Sequence, residues 1–452
     1  MAATSFRDDV QTLISISKRN ILDIDAEIAR LNSLLQVQTR LRKAEVKKLD
    51  LHRASIAPIR KLPVELLVDI FMLSLVGTSR SLSRESVFRV AHTSGHWRQI
   101  ALNTPQLWAA PVTLRPRENP IRSYLASTKT WMDRSSPLPL SIRICPRDPS
   151  AGNLMAFMNV LLSVVDRWKT LDTTCESLDS FPSLPRNAFA SLEHVSLSKS
   201  NGQAGLDIGV FATAPRLQSV TLGPMGRRVH MPWKQLTKVQ LDDIAPALCH
   251  SILLECENIE TGIFTIFGPA AACSTLHLPT LTALDITFRH EALAAFLECL
   301  DLPLLHTLRL SGWLPQNLAH FQLRSPDIQS LYLTAHWLSS VELVGVLRRT
   351  PRLTQLTCNA AVDVDLFYAL RYSPSDPLVP RLAKLALLHH TSNVPRVFVC
   401  PMVRSRGWSN EPSTADVSQL EELTVFGKKG EELREDLRHI IQQGFVLKLD
   451  SR

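Results

Sequence analysis

Hydrophobic residues in the second half of the chain recur in the pattern Leu-x-x-Leu-x-Leu, with Ile or Val in place of some leucines. Eleven copies, four of them degenerate, place their fourth residue between Leu171 and Leu423, at steps of 19 to 29 residues before a last step of 38. Apolar alternation within the motif is typical of a strand, and the regular step predicts repeating units. Each unit is predicted to be one strand with a returning helix or turn. The copies begin at Trp168, Leu192, Leu217, Leu236, Ile259, Leu281, Leu305, Ile328, Leu353, Leu382 and Leu420.

The motif and its step resemble the leucine-rich repeat, which implies an α/β solenoid curved into a horseshoe over residues 166–452. Residues 111–165, with a strand-like alternation over 139–145, are predicted to connect to the solenoid and begin it. The long last steps predict an inserted loop near residues 392–418, either a disordered spacer or a functional rim loop. A helix over 431–443, Gly444 just past its end, and a closing strand over 445–449 are predicted to follow.

The repeat register predicts which residues face the concave side of the sheet. Because the last two leucines of each motif point into the core, the residue between them points outward. Most residues in this row are small, polar and uncharged, so Asp285, Arg309 and Tyr332 are the distinctive candidates for contacts to a target protein. The alternative is a solvated sheet face with no partner. The row runs Ser196, Thr221, Gln240, Ile263, Asp285, Arg309, Tyr332, Thr357, Ala386 and Thr424.

The N-terminal segment has apolar residues that step by three and four, as the seam of a coiled coil does. The seam fails after two clean heptads, with Gln38 and Arg42 where apolar residues should recur. Residues 1–54 are therefore predicted to form an amphipathic, coiled-coil-like helix. A helix that docks on the body or protrudes is favoured, and a weak dimer handle stays open. The seam residues are Ile21, Ile24, Ile28, Leu31 and Leu35.

A second helical pattern follows at residues 58–71. Leu62-Pro63 followed by Glu65 is a helix start, because proline is tolerated in the first turn and an acidic residue complements the helix dipole there. The apolar stripe behind it is wide for a short helix, so it needs cover on two sides. A segment from Val87 through Trp97 to Ala101 can supply one side. Two helices of an ordinary core are the plain alternative.

The sequence Leu-Pro-x-Glu-Leu-Leu-x-x-Ile-Phe from Leu62, then Trp-Arg-x-Ile-Ala from Trp97 and Thr-Pro-x-Leu-Trp from Thr104, resembles the F-box in the form abundant among fungal F-box proteins. The resemblance implies a three-helix module over residues 55–110 that binds the Skp adaptor and, through it, a cullin and a RING protein. One departure is Gly95, which costs about 1 kcal/mol relative to alanine inside a helix. The implied adaptor contacts are Leu62, Pro63, Leu66, Leu67, Ile70 and Phe71, and the implied module core is Trp97, Ile100, Leu107 and Trp108.

Composition narrows the function. No apolar run approaches the roughly 20 residues that span a bilayer, so no membrane partner is expected. The net charge of +8 is spread along the chain and interleaves poorly with aromatic residues, so no nucleic acid is expected either. Eight cysteines occur with no C-x-x-C pair, which favours reduced thiols in the cytoplasm or nucleus over disulfides or zinc.

No motif predicts catalysis, since G-x-S-x-G, P-loop, H-E-x-x-H and Rossmann glycine patterns are missing from the sequence. The adjacent pairs His290-Glu291 and His389-His390 diverge on a helix or strand, which makes them weak metal or acid–base candidates. We therefore expect no enzyme, no cofactor and no metal. The predicted function is a substrate-recruiting adaptor of an SCF-type ubiquitin ligase that binds an unknown protein target. The alternative is an F-box and repeat scaffold that acts outside a ligase.

Overall fold

The structure is a computed structural model, and the chain divides into two units, Met1–Ser74 and Leu75–Arg452. It describes residues 2–75, 84–115, 121–145, 151–174, 188–198, 209–224, 229–268, 274–289, 293–312, 327–334, 339–359, 363–388, 396–408, 417–426 and 430–450. The two adjacent pairs His290-Glu291 and His389-His390 lie outside these residues.

The first unit contains two helices, α1 over Ala2–Ile56 and α2 over Val64–Leu75, joined by a 3₁₀ turn over Pro58–Lys61. No glycine or proline interrupts the sequence before Pro58, which explains the length of α1. The residue before a proline is driven out of the helical region, and Ala57 has φ −59° and ψ 129°. Every side chain described from Val10 to Ile56 is exposed.

The second unit begins with three short helices, α3 over Arg84–Thr93, α4 over Gly95–Leu102 and α5 over Pro105–Ala109. Gly95 is the first residue of α4 rather than an interior one, because Ser94 interrupts the helix and caps α4. The Ser94 hydroxyl accepts a hydrogen bond from the Trp97 N–H at 3.1 Å. The cost that was predicted for a glycine inside a helix therefore does not apply to Gly95. This residue lies in the first turn of α4, directly after the Ser94 cap.

Fourteen parallel strands form one sheet in which spatial order follows chain order. Parallel strands need crossover connections, and the helices and loops between the strands supply them. Two short strands, β8 over Leu276–His277 and β10 over Leu300–Asp301, pair separately. The strands of the large sheet are β1 Val112–Leu114, β2 Leu140–Ile144, β3 Trp168–Thr174, β4 His194–Ser198, β5 Ser219–Leu222, β6 Lys238–Ile244, β7 Thr261–Ile266, β9 Ala283–Phe288, β11 Thr307–Gly312, β12 Ser330–Thr334, β13 Gln355–Asn359, β14 Lys384–Leu387, β15 Glu422–Phe426 and β16 Val446–Asp450.

The strand prediction is confirmed at all eleven motif copies, each of which contributes one strand to the sheet. In β11, the side chains of Leu308 and Leu310 are at most 2% exposed, and Arg309 between them points outward, as a period of two requires. The first motif leucine, here Leu305, is also buried, just before the strand begins. The repeated motif thus places the core on one side of the whole sheet.

Nine helices described in the second unit follow α5, mostly between strands. Several present a leucine-rich face inward, as α10 does with Leu343 and Leu347. They are α6 Ile121–Arg134, α7 Ala151–Leu162, α8 Pro246–Glu255, α9 Leu293–Glu298, α10 Ser340–Leu347, α11 Val364–Leu370, α12 Arg396–Ser405, α13 Gly430–Asp436 and α14 Arg438–Gln442.

Three features of the second unit bear on the predictions for the connecting segment, the inserted loop and the C-terminal helix end. The sheet begins at β1 and β2, within the segment 111–165 that was predicted to connect to the solenoid and begin it. Helix α12 lies inside the predicted inserted loop, and Arg406 just after it is fully buried and donates to the carbonyl oxygens of Leu370, Leu378 and Val379. Gly444 has φ 111°, as predicted for the residue that follows a helix end.

Candidate functional site

Helix α2 exposes an apolar face. Leu66, Ile70 and Leu73 follow one another at i, i+4 and i+7, which places them on one side of the helix. Their exposed fractions are 49%, 40% and 73%, and Val64 in the first turn is 48% exposed. Val64, two residues before Leu66, points to the other side of the helix. The three large apolar side chains of Leu66, Ile70 and Leu73, open to water on one face of a short helix, are typical of a protein-interaction surface.

The six predicted adaptor contacts separate into exposed and buried residues. Leu66 and Ile70 are exposed, Pro63 is exposed, and Leu62 is half-buried. Leu67 and Phe71 are 0% and 1% exposed. Leu66/Ile70 and Leu67/Phe71 are two successive i, i+4 pairs, so two neighbouring stripes of α2 have opposite environments. The sequence pattern did not separate these two stripes, and the exposed Leu73 was not among the six predicted contacts.

The predicted module core is largely buried, with Ile100, Leu107 and Trp108 at 6% or less and Trp97 partly exposed. The Trp108 indole N–H donates to the Ala101 carbonyl oxygen at 2.7 Å, which satisfies the one polar atom of this buried ring. Phe88 meets the same ring edge-on, with 5.7 Å between centroids. A tryptophan held in this way fixes α5 against α4.

The sheet brings together the three predicted target contacts. Asp285 on β9 is in register with Arg309 on β11, which is in register with Tyr332 on β12. The Arg309 Nη1 lies 3.7 Å from the Asp285 Oδ2, and the guanidinium carbon lies 4.5 Å from the centre of the Tyr332 ring. This second distance is that of a cation–π contact.

Within the triad of Asp285, Arg309 and Tyr332, the carboxyl and the guanidinium lie in different environments. Burial raises the pKa of the Asp285 carboxyl above its ordinary value, and the positive charge of Arg309 opposes that rise without overcoming it. Half of the Arg309 side chain is exposed, at 52%, while Asp285 is at 30%. The guanidinium of Arg309 thus contacts a carboxylate and an aromatic ring and is still accessible to a partner.

Sequence reasoning missed the other end of the same row. Strand register continues it from Ser196 to Asp172 and Arg143, whose charged groups lie 2.5 Å apart. A groove of about 270 Å³ opens there, with His194 also in its wall. Asp172 occupies the outward position of the Trp168 motif copy, so the motif could have found it. Arg143 precedes the first copy, and only strand pairing places it beside Asp172.

The described residues hold no group of three or more His, Cys, Asp or Glu side chains placed to bind a metal ion. None of the described helices is long and apolar enough to cross a membrane. Six cysteines in the described part of the chain lie outside any disulfide.

Comparison with known proteins identifies one region. Residues 59–113 match the F-box-like family, so the chain carries an F-box-like domain there. The match covers α2 to α5 and ends at the second residue of β1. No curated protein matches the chain.

Proposed function

We propose that this protein is the substrate-recruiting subunit of an SCF-type ubiquitin ligase and binds a Skp adaptor through α2. The observation that carries the proposal is the exposed apolar face of Leu66, Ile70 and Leu73, which lies within the F-box-like region. F-box domains typically bind Skp adaptors, and the F-box-like match includes all of α2.

The apolar face of α2 can supply part of the free energy of docking. Fully burying a leucine or isoleucine side chain contributes about 1.5–3 kcal/mol, and Leu66, Ile70 and Leu73 are already partly covered, so roughly 1 kcal/mol each is available on docking. Several kcal/mol from one small helix must be supplemented by contacts around it, because association itself costs translational and rotational freedom. Pro63 and the half-buried Leu62 lie next to the face and are the nearest candidates for such contacts.

We infer that the fourteen-stranded sheet is a leucine-rich-repeat solenoid whose outward row holds the target protein. The motif step and the strict chain order of the strands support this inference. Asp285, Arg309 and Tyr332 are the proposed contacts, since arginine and tyrosine dominate the binding energy of many protein interfaces. A cullin and a RING protein, joined through the Skp adaptor in the cytoplasm or nucleus, would bring a conjugating enzyme to the target.

The chain would contribute proximity rather than chemistry. A target held on the sheet has its lysines at high effective concentration near the conjugating enzyme, which accelerates transfer without a catalytic residue on this chain. The alternative function, a scaffold outside any ligase, keeps the same two surfaces and lacks the transfer.

The first experiment is co-purification of the full chain with a Skp adaptor, beside the double variant Leu66→Asp/Ile70→Asp. Two carboxylates placed on an exposed apolar face block docking while leaving the buried stripe of Leu67 and Phe71 unchanged. We expect the wild type to retain the adaptor and the variant to lose it by at least tenfold in affinity, about 1.4 kcal/mol. Asp69→Asn, an exposed polar change on the same helix, is the matched control and should bind like wild type.

Circular dichroism and a thermal melt establish that the variant is folded. Failure of the folded wild type to bind the adaptor would overturn the ligase proposal. Binding without ubiquitin transfer to any captured target, in a reaction reconstituted with cullin and RING protein, would favour the scaffold.

A further inference from the structure

Helix α1 exposes a longer apolar seam than the sequence pattern alone indicated. The seam begins at Val10 and Ile14, upstream of the five residues that define it by spacing, and runs to Leu35. In heptad terms its a positions are Ile14, Ile21, Ile28 and Leu35, and its d positions are Val10, Ser17, Ile24 and Leu31. Exposed fractions of the seven apolar members range from 37% at Val10 to 66% at Leu35. The continuous helix therefore carries three and a half heptads, about the length that a stable coiled coil requires.

The width of the seam indicates what covers it. A helix that packs on a globular core needs a stripe of three or four apolar residues per two turns, whereas an a/d seam of two fits a single partner helix. The flanking e and g positions between Lys18 and Glu27 are polar or charged, so the stripe stays narrow there. The seam thus has the dimensions of a two-stranded coiled coil.

We propose that α1 pairs with α1 of a second copy of this chain in an antiparallel coiled coil, so that the protein is a homodimer. In this register Val10 lies level with Leu35 of the second copy, Ile14 with Leu31, Ser17 with Ile28, and Ile21 with Ile24. The twofold axis passes between Ile21 and Ile24. Eight layers result, each with an a residue facing a d residue. This proposal does not depend on the ligase function.

Layer packing favours the antiparallel arrangement. In a parallel pair Ser17 would face Ser17, leaving a gap in the seam, whereas here the small serine faces the large Ile28. Isoleucine at both a and d positions is also not the preference of parallel dimers, which take β-branched residues at a and leucine at d.

Flanking charges favour it as well. Antiparallel helices place e positions opposite e positions, so Lys18 of each copy lies beside Asp25 of the other, twice by symmetry. The parallel arrangement would set Asn20 against Asp25 and Glu27 against Asn32, and neither is an ion pair. Charge complementarity therefore selects a second, inverted copy of the same helix.

The dimer would separate the two F-box-like regions. From the twofold axis to Ile56, α1 continues for more than thirty residues, or about 50 Å at 1.5 Å per residue. The two C-terminal ends of α1 would then stand on the order of 100 Å apart. Two adaptor-binding surfaces on opposite arms could engage their partners without colliding.

The test of dimerisation is the solution mass of the full chain by sedimentation equilibrium, at concentrations on the order of 10 µM. We expect twice the 50.6 kDa of one chain for wild type and a single chain for Ile24→Asp/Ile28→Asp. Ala26→Asp and Ser33→Asp add the same charges on the opposite face of the helix and should remain dimeric. A monomeric wild type, a trimer or tetramer, or a dimer that survives both seam aspartates would overturn the proposal.

The orientation is tested by a charge swap. Asp25→Lys sets two lysines against each other across the antiparallel pair and should weaken the dimer several-fold at low salt. Adding Lys18→Asp restores opposite charges and should recover it. Residues 18 and 25 are two turns apart on one helix, so only a contact between copies couples them. Equal dimer affinity in the single and double variants would overturn the antiparallel register.

Discussion

The two apolar patterns of this chain differ in how far their side chains are buried. Along the sheet, the leucines of the repeated motif are buried almost completely, with Leu305, Leu308 and Leu310 all within 2%. Along α1 and one face of α2, residues of the same types are 37% to 76% exposed. The difference is one of neighbours. Each strand is covered by the next strand and its own returning segment, whereas a single helix has no copy of itself in the chain to pack against. The exposed apolar residues of α1 and α2 are therefore the ones that we propose as contacts for partners.

The largest expected difference between the two regions comes from truncating a leucine in each of them. Leu308→Ala deletes a buried leucine and should lower the free energy of unfolding by about 2–5 kcal/mol, because it leaves a cavity in a packed core. Leu66→Ala removes a half-exposed leucine and should cost less than about 1 kcal/mol. Urea unfolding followed by circular dichroism measures both. Equal costs would mean that α2 does not hold a free apolar face.

A smaller effect is expected at the start of α4. Ser94→Ala removes the side chain that accepts from the Trp97 N–H and should destabilise the chain by about 1 kcal/mol. Ser94→Asp is the matched control, because aspartate caps helices as well as serine does, and it should preserve stability. This capping bond acts locally within the F-box-like region, whereas the sheet is held by apolar contacts that repeat from strand to strand. An alanine variant as stable as wild type would contradict this assignment.

The smallest expected effect on stability lies on the polar face of the sheet. The folded-state pKa of Asp285 is raised, so the folded chain holds this proton more readily than the unfolded chain does. Stability from this group is therefore greatest below the unfolded-state pKa and is lost as pH rises through the folded-state pKa. Asp285→Asn should raise stability at neutral pH and leave it unchanged in the acid range.

Urea titrations across that pH range check the prediction, and Asp301→Asn on the separate pair of short strands is a control for an aspartate with a different partner. If Asp285→Asn lowered stability at neutral pH, the pairing with Arg309 would outweigh the burial of the carboxylate. In either case, loss of a captured target with Asp285→Asn or Arg309→Ala would tie this row to recognition.

Pattern reasoning succeeded where the physics is periodic. The outward row was assigned from the motif alone, and strand pairing aligns its members from Ser196 to Thr424 one against another. The closing strand and Gly444 were also anticipated, since only a residue that tolerates positive φ suits that helix end. The F-box-like region was found from a motif spread over about fifty residues, because its proline, arginine and tryptophan spacing is specific.

Non-periodic features could not be read in the same way. The three residues of β1 are too few to show an alternation, so the sheet extends one strand beyond the prediction. Helix α12 contains Pro401, which argues against a helix, yet its burial of Val399, Met402 and Val403 outweighs that propensity.

The sequence by itself determined the repeating strands, their inward leucines and the apolar character of α1 and α2, because periods of two, 3.6 and about 23 residues are written in residue type. Only the tertiary structure decided which of two adjacent stripes on α2 is buried, and that Arg143 lies beside Asp172 from 29 residues away. It also decided that the buried guanidinium of Arg406 donates hydrogen bonds to three carbonyl oxygens. The physical reason is that burial and pairing across long separations depend on what packs around a residue, which no local pattern specifies.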